Sequence, residues 1–364
     1  MKLPNLFKEI VILPPYKEHF SNDNFGSVSL YIKDINHLSK FKKNITVFYN
    51  HITTPFRGFK TFNLPNNLYH LFFGKNLGHT KSFIRQLKNN VRFPKIIEVH
   101  NRPKSALLIS RKIKLSKTIL FYHNDPLSFK EASTPKYRIE LLKNCSHICF
   151  VSEFLKKRFL IGINPSYLFN IKLSVIYNGV QPLIKKSYFK RNQNIVFVGE
   201  LSKNKGFDIF LEVANDLNLN FPHWKIDVFG KLNKKYIKTI NKLENITFHG
   251  FRHHNYVLKF LNKSSISVIP SVWDEPFGRT LLESINSGAS TISSTKGGLK
   301  EICKHFKVVK LNKINKKSIY NSIKKLIMSE DERSHHSNNN VSKTPFTLNK
   351  ISSKLDNLRF KILL

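Results

Sequence analysis

The chain carries three cysteines, two tryptophans and two methionines in 364 residues, and only 23 acidic residues against 61 lysines and arginines. Three cysteines make no disulfide framework. Cys145, Cys149 and Cys303 also lack zinc spacing, since Cys145 and Cys149 have no second pair, and they are expected as small buried residues. No run of about 18 or more apolar residues occurs, so no membrane-spanning helix is expected. The opening Met1-Lys2-Leu3-Pro4-Asn5 lacks the charged and then apolar order of a signal peptide, which points to a cytoplasmic protein. No repeat of fixed short period is present, which excludes solenoids and propellers.

The shortage of acid leaves a formal net charge of +38. A basic field attracts phosphates, yet here the lysine excess runs with Asn, Ile and Phe along the whole chain, as a genome-wide compositional bias would. No arm, stripe or aromatic-interleaved RNA motif stands out, so nucleic acid is not an expected partner. The charge instead favours anionic nucleotides and peripheral contact with the anionic inner face of a membrane. With 41% hydrophobic residues and 31 phenylalanines there is material for two cores, and the length exceeds what one core usually organises. Two α/β domains facing a cleft are expected.

Short apolar runs at 9–13, 45–49, 96–99, 118–122 and 147–151 alternate with polar, helix-compatible stretches, the rhythm of a doubly wound parallel sheet. Gly26 and Ser27 fall between the first strand and a helix over 29–38. Such a loop serves equally as a tight turn or as a place where backbone amides approach a phosphate or sugar. The run 173–180 closes the first half, and a lysine-rich link spans 181–193. A second series of strands then ends at Gly199, Gly230, Gly250 and Pro270, and the loops after these positions are expected on one side. The expected domains are 1–182, with a last helix over 346–364 packing back on it, and 190–345. The polar stretch 329–344 reads as a mobile loop.

The densest chemistry lies in Trp273-Asp274-Glu275-Pro276-Phe277-Gly278-Arg279-Thr280-Leu281-Leu282-Glu283, after an apolar strand. Pro276 suits the first turn of a helix that Gly288 ends, which puts Glu275 at its mouth and Glu283 about two turns along. The amides of Phe277, Gly278 and Arg279 would then be donors at a positive helix end, suited to hydroxyls or phosphate oxygens. A second glycine loop, 294–301, repeats the device after the strand 290–293 and makes phosphate binding plausible there too. His123 ends a first-half strand. For His100 a structural or acceptor-side role weighs the same as a catalytic one, and the His253-His254 pair reads as exposed.

These residues resemble the family 4 glycosyltransferases of the GT-B fold, and the likeness covers nearly the whole chain in order. Glu275 and Glu283 match the family's E-x7-E element, and Gly297, Gly298 and Glu301 match its Gly-Gly-x-x-Glu. Val198-Gly199 with Lys205-Gly206, Tyr177-Asn178-Gly179-Val180 and Val151-Ser152-Glu153 extend the match. The stretches Tyr122-His123-Asn124-Asp125-Pro126 and 273–283 look most like bacterial transferases of lipopolysaccharide or surface polysaccharide assembly. The resemblance implies a retaining transfer from a UDP- or GDP-sugar to a glycan or glycolipid acceptor, with no cofactor and no metal; no Asp-x-Asp motif occurs. It implies that Glu275 contacts the transferred sugar, that Lys205 neutralises the diphosphate and that His123 touches the sugar or its developing charge. Gly199, Phe277, Gly278, Arg279 and Thr280 would join Gly26 and Ser27 around the donor, with Glu283 on the ribose. One departure stands out: Glu200 occupies the position after Gly199 where the family usually carries a basic residue. Either Glu200 points away while Lys203, Lys205 or Arg279 supplies the charge, or the site is weakened and the protein serves as a binding or assembly subunit.

Overall fold

The computed structural model describes residues 9–21, 25–50, 54–64, 66–89, 93–168, 172–183, 191–231, 236 and 246–364. The N-terminal pentapeptide and residues 184–190 of the lysine-rich link lie outside them. The chain divides into two compact units, Met1–Gly179 with Leu348–Leu364, and Val180–Thr347.

The first unit is built on strands β1 (Ile10–Leu13), β2 (Ile45–Tyr49), β3 (Lys60–Asn63), β4 (Ile96–His100), β5 (Lys117–Tyr122), β6 (His147–Phe150) and β7 (Leu173–Val175). They pair in the order β3-β2-β1-β4-β5-β6-β7, every pair parallel. The near-continuous apolar runs of β1 and β4 are buried at every position, as strands covered on both faces must be. Helices α1 (Ser27–His37), α2 (Leu68–Lys88), α3 (Pro103–Lys112), α4 (Pro135–Asn144) and α5 (Glu153–Leu160) alternate with them. Proline opens α3 and α4, where its missing N–H costs no helical bond. β3 was not legible as a strand, because it lies at the sheet edge and none of its residues is buried.

The second unit pairs β8 (Asn192–Val198), β9 (Lys225–Phe229), β10 (Ile246–Gly250), β11 (Ser264–Ile269), β12 (Ser290–Ser293) and β13 (Val309–Lys310) in the order β10-β9-β8-β11-β12-β13, again all parallel. Parallel pairing makes the segments after Gly199, Gly230, Gly250 and Pro270 leave from the same end of the sheet. Helices α6 (Phe207–Asn220), α7 (His254–Leu261), α8 (Arg279–Asn286), α9 (Leu299–Cys303), α10 (Lys316–Met328) and α11 (Glu330–Ser337) surround it. Phe197 packs against Phe207 and Phe210 at centroid distances of 5.0 and 5.2 Å, in a core shared with Val228, Ile266 and Ile292. Each sheet therefore reverses strand order once, between β1 and β4 in the first unit and between β8 and β11 in the second. Ligands of open parallel sheets bind beyond the strand ends at such a reversal.

The stretch expected as a mobile loop is ordered instead. Ser329 accepts from the Glu332 amide and opens α11, which carries acid in its first turn and histidine in its last, as the helix dipole favours. Arg333 donates to the carbonyls of Leu326 and Ile327 at 2.6 Å and lies 5.4 Å from the Trp224 ring centroid. The element rests on caps and charge rather than an apolar stripe, so periodicity does not reveal it. A second correction concerns Pro276: the helix begins at Arg279, and Pro276 stands in the loop before it.

The last helix, α12 (Leu348–Leu363), belongs to the first unit. Its Arg359, fully buried, donates to both oxygens of the equally buried Glu98 on β4 at 2.8 and 2.9 Å. The same guanidinium reaches Asn36, Ser39 and Asp356. Asp356 in turn accepts from Ser39 Oγ at 2.6 Å and from the Lys40 amide at 2.7 Å. No helix among the described residues is long and apolar enough to cross a membrane. Cys145, Cys149 and Cys303 are free and buried, as expected of them.

Candidate active site

In the second unit the site is assembled at the β8–β11 reversal. Lys205 follows β8 and Glu275 follows β11, seventy residues apart, and Lys205 Nζ donates to both Glu275 oxygens at 2.7 and 2.9 Å. Ser271 Oγ donates to the same carboxylate at 2.6 Å, and the Trp273 ring lies 5.1 Å from the ammonium. The Glu275 side chain is 8% exposed and that of Lys205 26%.

Backbone geometry explains why glycine stands beside these residues. Gly206 has φ +72° and lies so close to the Pro270 carbonyl that a Cβ has no room. That approach lets the Asn204 carbonyl accept from the amides of Val272 and Trp273 at 2.9 and 3.3 Å, which joins the Lys205 loop to the Glu275 loop. On the other side Gly297, at φ +57°, lies against the Glu275 backbone, and the Gly298 amide donates to the Glu275 carbonyl at 2.7 Å. The loop 294–301, expected as a second phosphate cradle, therefore packs its glycines against residues 274–277, and α9 behind it is only five residues long.

Glu283, on α8, accepts from Arg279 Nε at 2.6 Å and bonds His254 Nε2 at 2.8 Å, both through Oε1. Burial pushes its carboxyl up, but His254 and Arg279 outweigh burial and bring it down to about 2. His254 is thus no exposed bystander: its side chain is 14% exposed and sits at the start of α7, while His253 is exposed. The only sequence signal was its place after the strand ending at Gly250. Arg279 is committed to the carboxylate one turn along its own helix rather than held as a spare cation. Gly278, at φ +112°, caps α8 without a side-chain bond, Phe277 is buried and Thr280 is half-buried in the first turn. The Gly199 amide is already engaged, donating to the Phe229 carbonyl at 3.0 Å, and Glu200 is exposed.

In the first unit His123, at the end of β5, is buried with Nε2 2.9 Å from His100 Nδ1. The two rings stack at 5.2 Å, His100 stacks on Phe121, and Tyr31 from α1 meets His123 edge-on at 4.8 Å. Asn101, at φ +55° the single non-glycine residue with positive φ among those described, accepts from the amides of His123 and Asn124. Gly26 is the N-cap of α1, and the carboxylate of Glu18 fills the space beside it, accepting from Ser29 N and Oγ at 3.2 and 3.1 Å. Burial pushes the Glu18 carboxyl up, with the Ser29 bonds opposing it. Ser27 is the first helical residue.

Burial pushes His123 down to about 3 and His100 well below its ordinary value, His123 and Arg359 adding to the latter. His100 Nε2 is buried without a partner. A buried N–H without an acceptor is rarer than a buried acceptor without a donor, so the favoured arrangement has His100 donating through Nδ1. His123 then carries its proton on Nδ1 and acts as a neutral donor. The pair also fixes a pH dependence. Unfolded histidines titrate near 6.5, so below that value and down to about 3 the unfolded chain binds more protons and stability falls with pH. The loss per histidine is expected to start at about 0.7 kcal/mol per pH unit at pH 6.5 and to approach about 1.4 kcal/mol per pH unit toward pH 5, above the window where Glu283 contributes. Urea titrations across that range would register it, and His123→Asn should remove about one proton from the slope; an unchanged slope would show the histidine is not held neutral.

Residues 181–343 match the family described as Glycosyl transferases group 1. That match spans nearly all of the second unit, Val180–Thr347. An uncharacterized glycosyltransferase of Methanocaldococcus jannaschii is 30% identical over 219 residues, 59% of this chain and 53% of the relative. The chain spans about half the length of the curated relatives it matches. Among solved structures, Anabaena HepE in complex with UDP and glucose superposes with a TM-score of 0.76 at 16% identity, covering 97% of this chain and 99% of HepE. WaaG, a glycosyltransferase involved in lipopolysaccharide biosynthesis, gives 0.70 at 15% identity, with 96% and 99% covered. The two Rossmann-like units are those of the GT-B fold. Among the described residues no group of three His, Cys, Asp or Glu side chains is placed to hold a metal ion.

Proposed function

We propose that this protein is a retaining glycosyltransferase that moves a sugar from a UDP- or GDP-sugar to a glycan or glycolipid acceptor, in lipopolysaccharide or surface polysaccharide assembly. The observation that carries the reading is the Lys205–Glu275 pair at the β8–β11 reversal, within the group 1 domain. Departure of a nucleoside diphosphate builds negative charge on the leaving oxygen, and a preorganised ammonium with helix-end amides stabilises it without reorganising solvent. Lys205 supplies that charge, residues 277–280 supply the helix end, and Glu275 accepts from the hydroxyls of the transferred sugar. Glu283, held ionised, has Oε2 outside its bonds to His254 and Arg279, and this oxygen accepts from the ribose. His123, held neutral, offers an N–H donor in the first unit. In this reading the acceptor belongs to the β1–β4 reversal of the first unit, since ligands of open parallel sheets bind at such a reversal. HepE, crystallised with UDP and glucose, supports the donor class, and WaaG supports the pathway.

A second reading has its own observation. Lys205 and Arg279 both already hold carboxylate partners, and exposed Glu200 adds a further negative charge beside Gly199. A site so neutralised binds a diphosphate weakly, and the protein would then serve as a binding or assembly subunit. Thermal unfolding with UDP, GDP and their sugar conjugates, with and without magnesium, separates the two. The transferase reading expects a rise in Tm with one base, independent of metal and lost in Glu275→Ala and Lys205→Ala, since a ligand that binds only the folded state stabilises it. No shift with any nucleotide at millimolar concentration would favour the subunit.

A further inference from the structure

Exposed large apolar side chains are scattered singly over most of the described surface, with one exception. Leu68, Leu71, Phe72 and Phe73 are 68, 80, 77 and 43% exposed within six consecutive residues. They occupy the first part of α2, which Gly74, at φ +71° and ψ 167°, separates from the remainder of the helix. The segment is not a frayed end. Asn67 caps it, accepting from the Tyr69 amide at 3.1 Å and donating its backbone N–H to His70 Nδ1. The Asn67 amide bonds Ser82 at 2.8 Å, and Gly78 lies so close to the backbone of Tyr69 and His70 that a Cβ would stand 2.6 Å from His70 Cα. One face of this short helix is thus locked to the rest of α2 while the apolar face meets solvent.

Its electrostatic setting is one-sided. Between Asp34 and Glu98 the sequence holds eight lysines, three arginines and no acidic residue. Lys75, Arg85 and Lys88 are exposed along α2, and Lys81 Nζ lies 3.1 Å from the Phe73 ring centroid. We infer that Leu68–Phe73 is a membrane-contact element that inserts Leu71 and Phe72 among the lipids of an anionic bilayer while the α2 lysines and arginines engage headgroup phosphates. Apolar insertion flanked by unopposed cations is the chemistry of interfacial binding. A second copy of the chain would bring like charge against like charge at this face. The inference deepens the glycolipid-acceptor reading in its partner alone.

The test is co-sedimentation of the full chain with vesicles of phosphatidylcholine, or of phosphatidylcholine with about one quarter phosphatidylglycerol, without sugar nucleotide, so its failure is separate from failure of the donor site. Partitioning onto the anionic vesicles is expected to exceed that onto neutral ones by about tenfold or more and to fall by a similar factor in Leu71→Ser/Phe72→Ser. Leu219→Ser, an exposed leucine of the second unit, serves as the control and should bind as wild type, and all three proteins should keep the same Tm. Anionic-vesicle binding unchanged in the double variant would assign it to net charge and overturn the proposal. So would absence of binding, or a wild-type dimer that the double variant dissolves in sedimentation velocity.

Discussion

Glu275→Gln is expected to lower the rate of sugar transfer, or of donor hydrolysis without acceptor, by on the order of a hundred- to a thousandfold, the range found when one preorganised transition-state contact is removed. Glutamine keeps the size of the side chain and still accepts from Ser271. It loses the charge that fixes Lys205 at 2.7 Å and the second acceptor oxygen that a sugar hydroxyl needs. With Lys205 proposed to act on the leaving diphosphate and Glu275 on the sugar, the loss should fall mainly on kcat for Glu275→Gln and on both kcat and KM for Lys205→Met. The two residues form one bonded unit, so the double variant is expected to be little worse than the poorer single one. Steady-state release of nucleoside diphosphate measures all three, and a Glu275→Gln protein with wild-type kcat would remove Glu275 from the chemistry.

Arg359→Met should cost about 3–5 kcal/mol of folding stability, the largest single effect anticipated outside the donor site. The guanidinium is wholly buried and is the counter-charge for Glu98 and Asp356, both buried themselves. Deleting it leaves two carboxylates in a medium that cannot solvate them, which costs more than the intact network contributes. Urea unfolding followed by circular dichroism gives the number. Should the single variant fail to fold, Arg359→Met/Glu98→Leu/Asp356→Asn removes the orphaned charges and is expected to recover much of the loss. A single variant within about 1 kcal/mol of wild type would mean that α12 is held by its apolar contacts instead.

Parallel strands covered on both faces are largely apolar, which is why β1, β2, β4, β5 and β6 stood out as short apolar runs. β3 and β13 did not, because edge strands bury less and tolerate lysine. α11 was missed for a related reason. Its sequence EDERSHHS has no apolar face, and its stability comes from Ser329, from the end charges and from Arg333 reaching back to α10.

The proposed donor site was partly legible. Glu-Pro-Phe-Gly, Lys-Gly and Gly-Gly marked the three loops, and the structure shows a use for glycine in each: Gly206 lets the Lys205 loop reach Pro270, Gly278 takes a left-handed φ before α8, and Gly297 lies on the Glu275 backbone. The partners of these residues were not legible. His254 gave no hint of Glu283, twenty-nine positions on, and Glu18 gave none of the α1 N-terminus that it caps.

The sequence by itself determined the kind of protein this is: a basic chain of two parallel α/β units, with glycine and carboxylate motifs at defined strand ends. Apolar periodicity and backbone permissiveness are local properties, written within a few residues. Tertiary structure alone decided that Lys205 lies on Glu275, that Arg279 and His254 share Glu283, that His100 orients His123 and that Arg359 answers Glu98. Ion pairing and burial depend on distances of a few ångströms between residues from three to 261 positions apart along the chain, and strand order sets those distances.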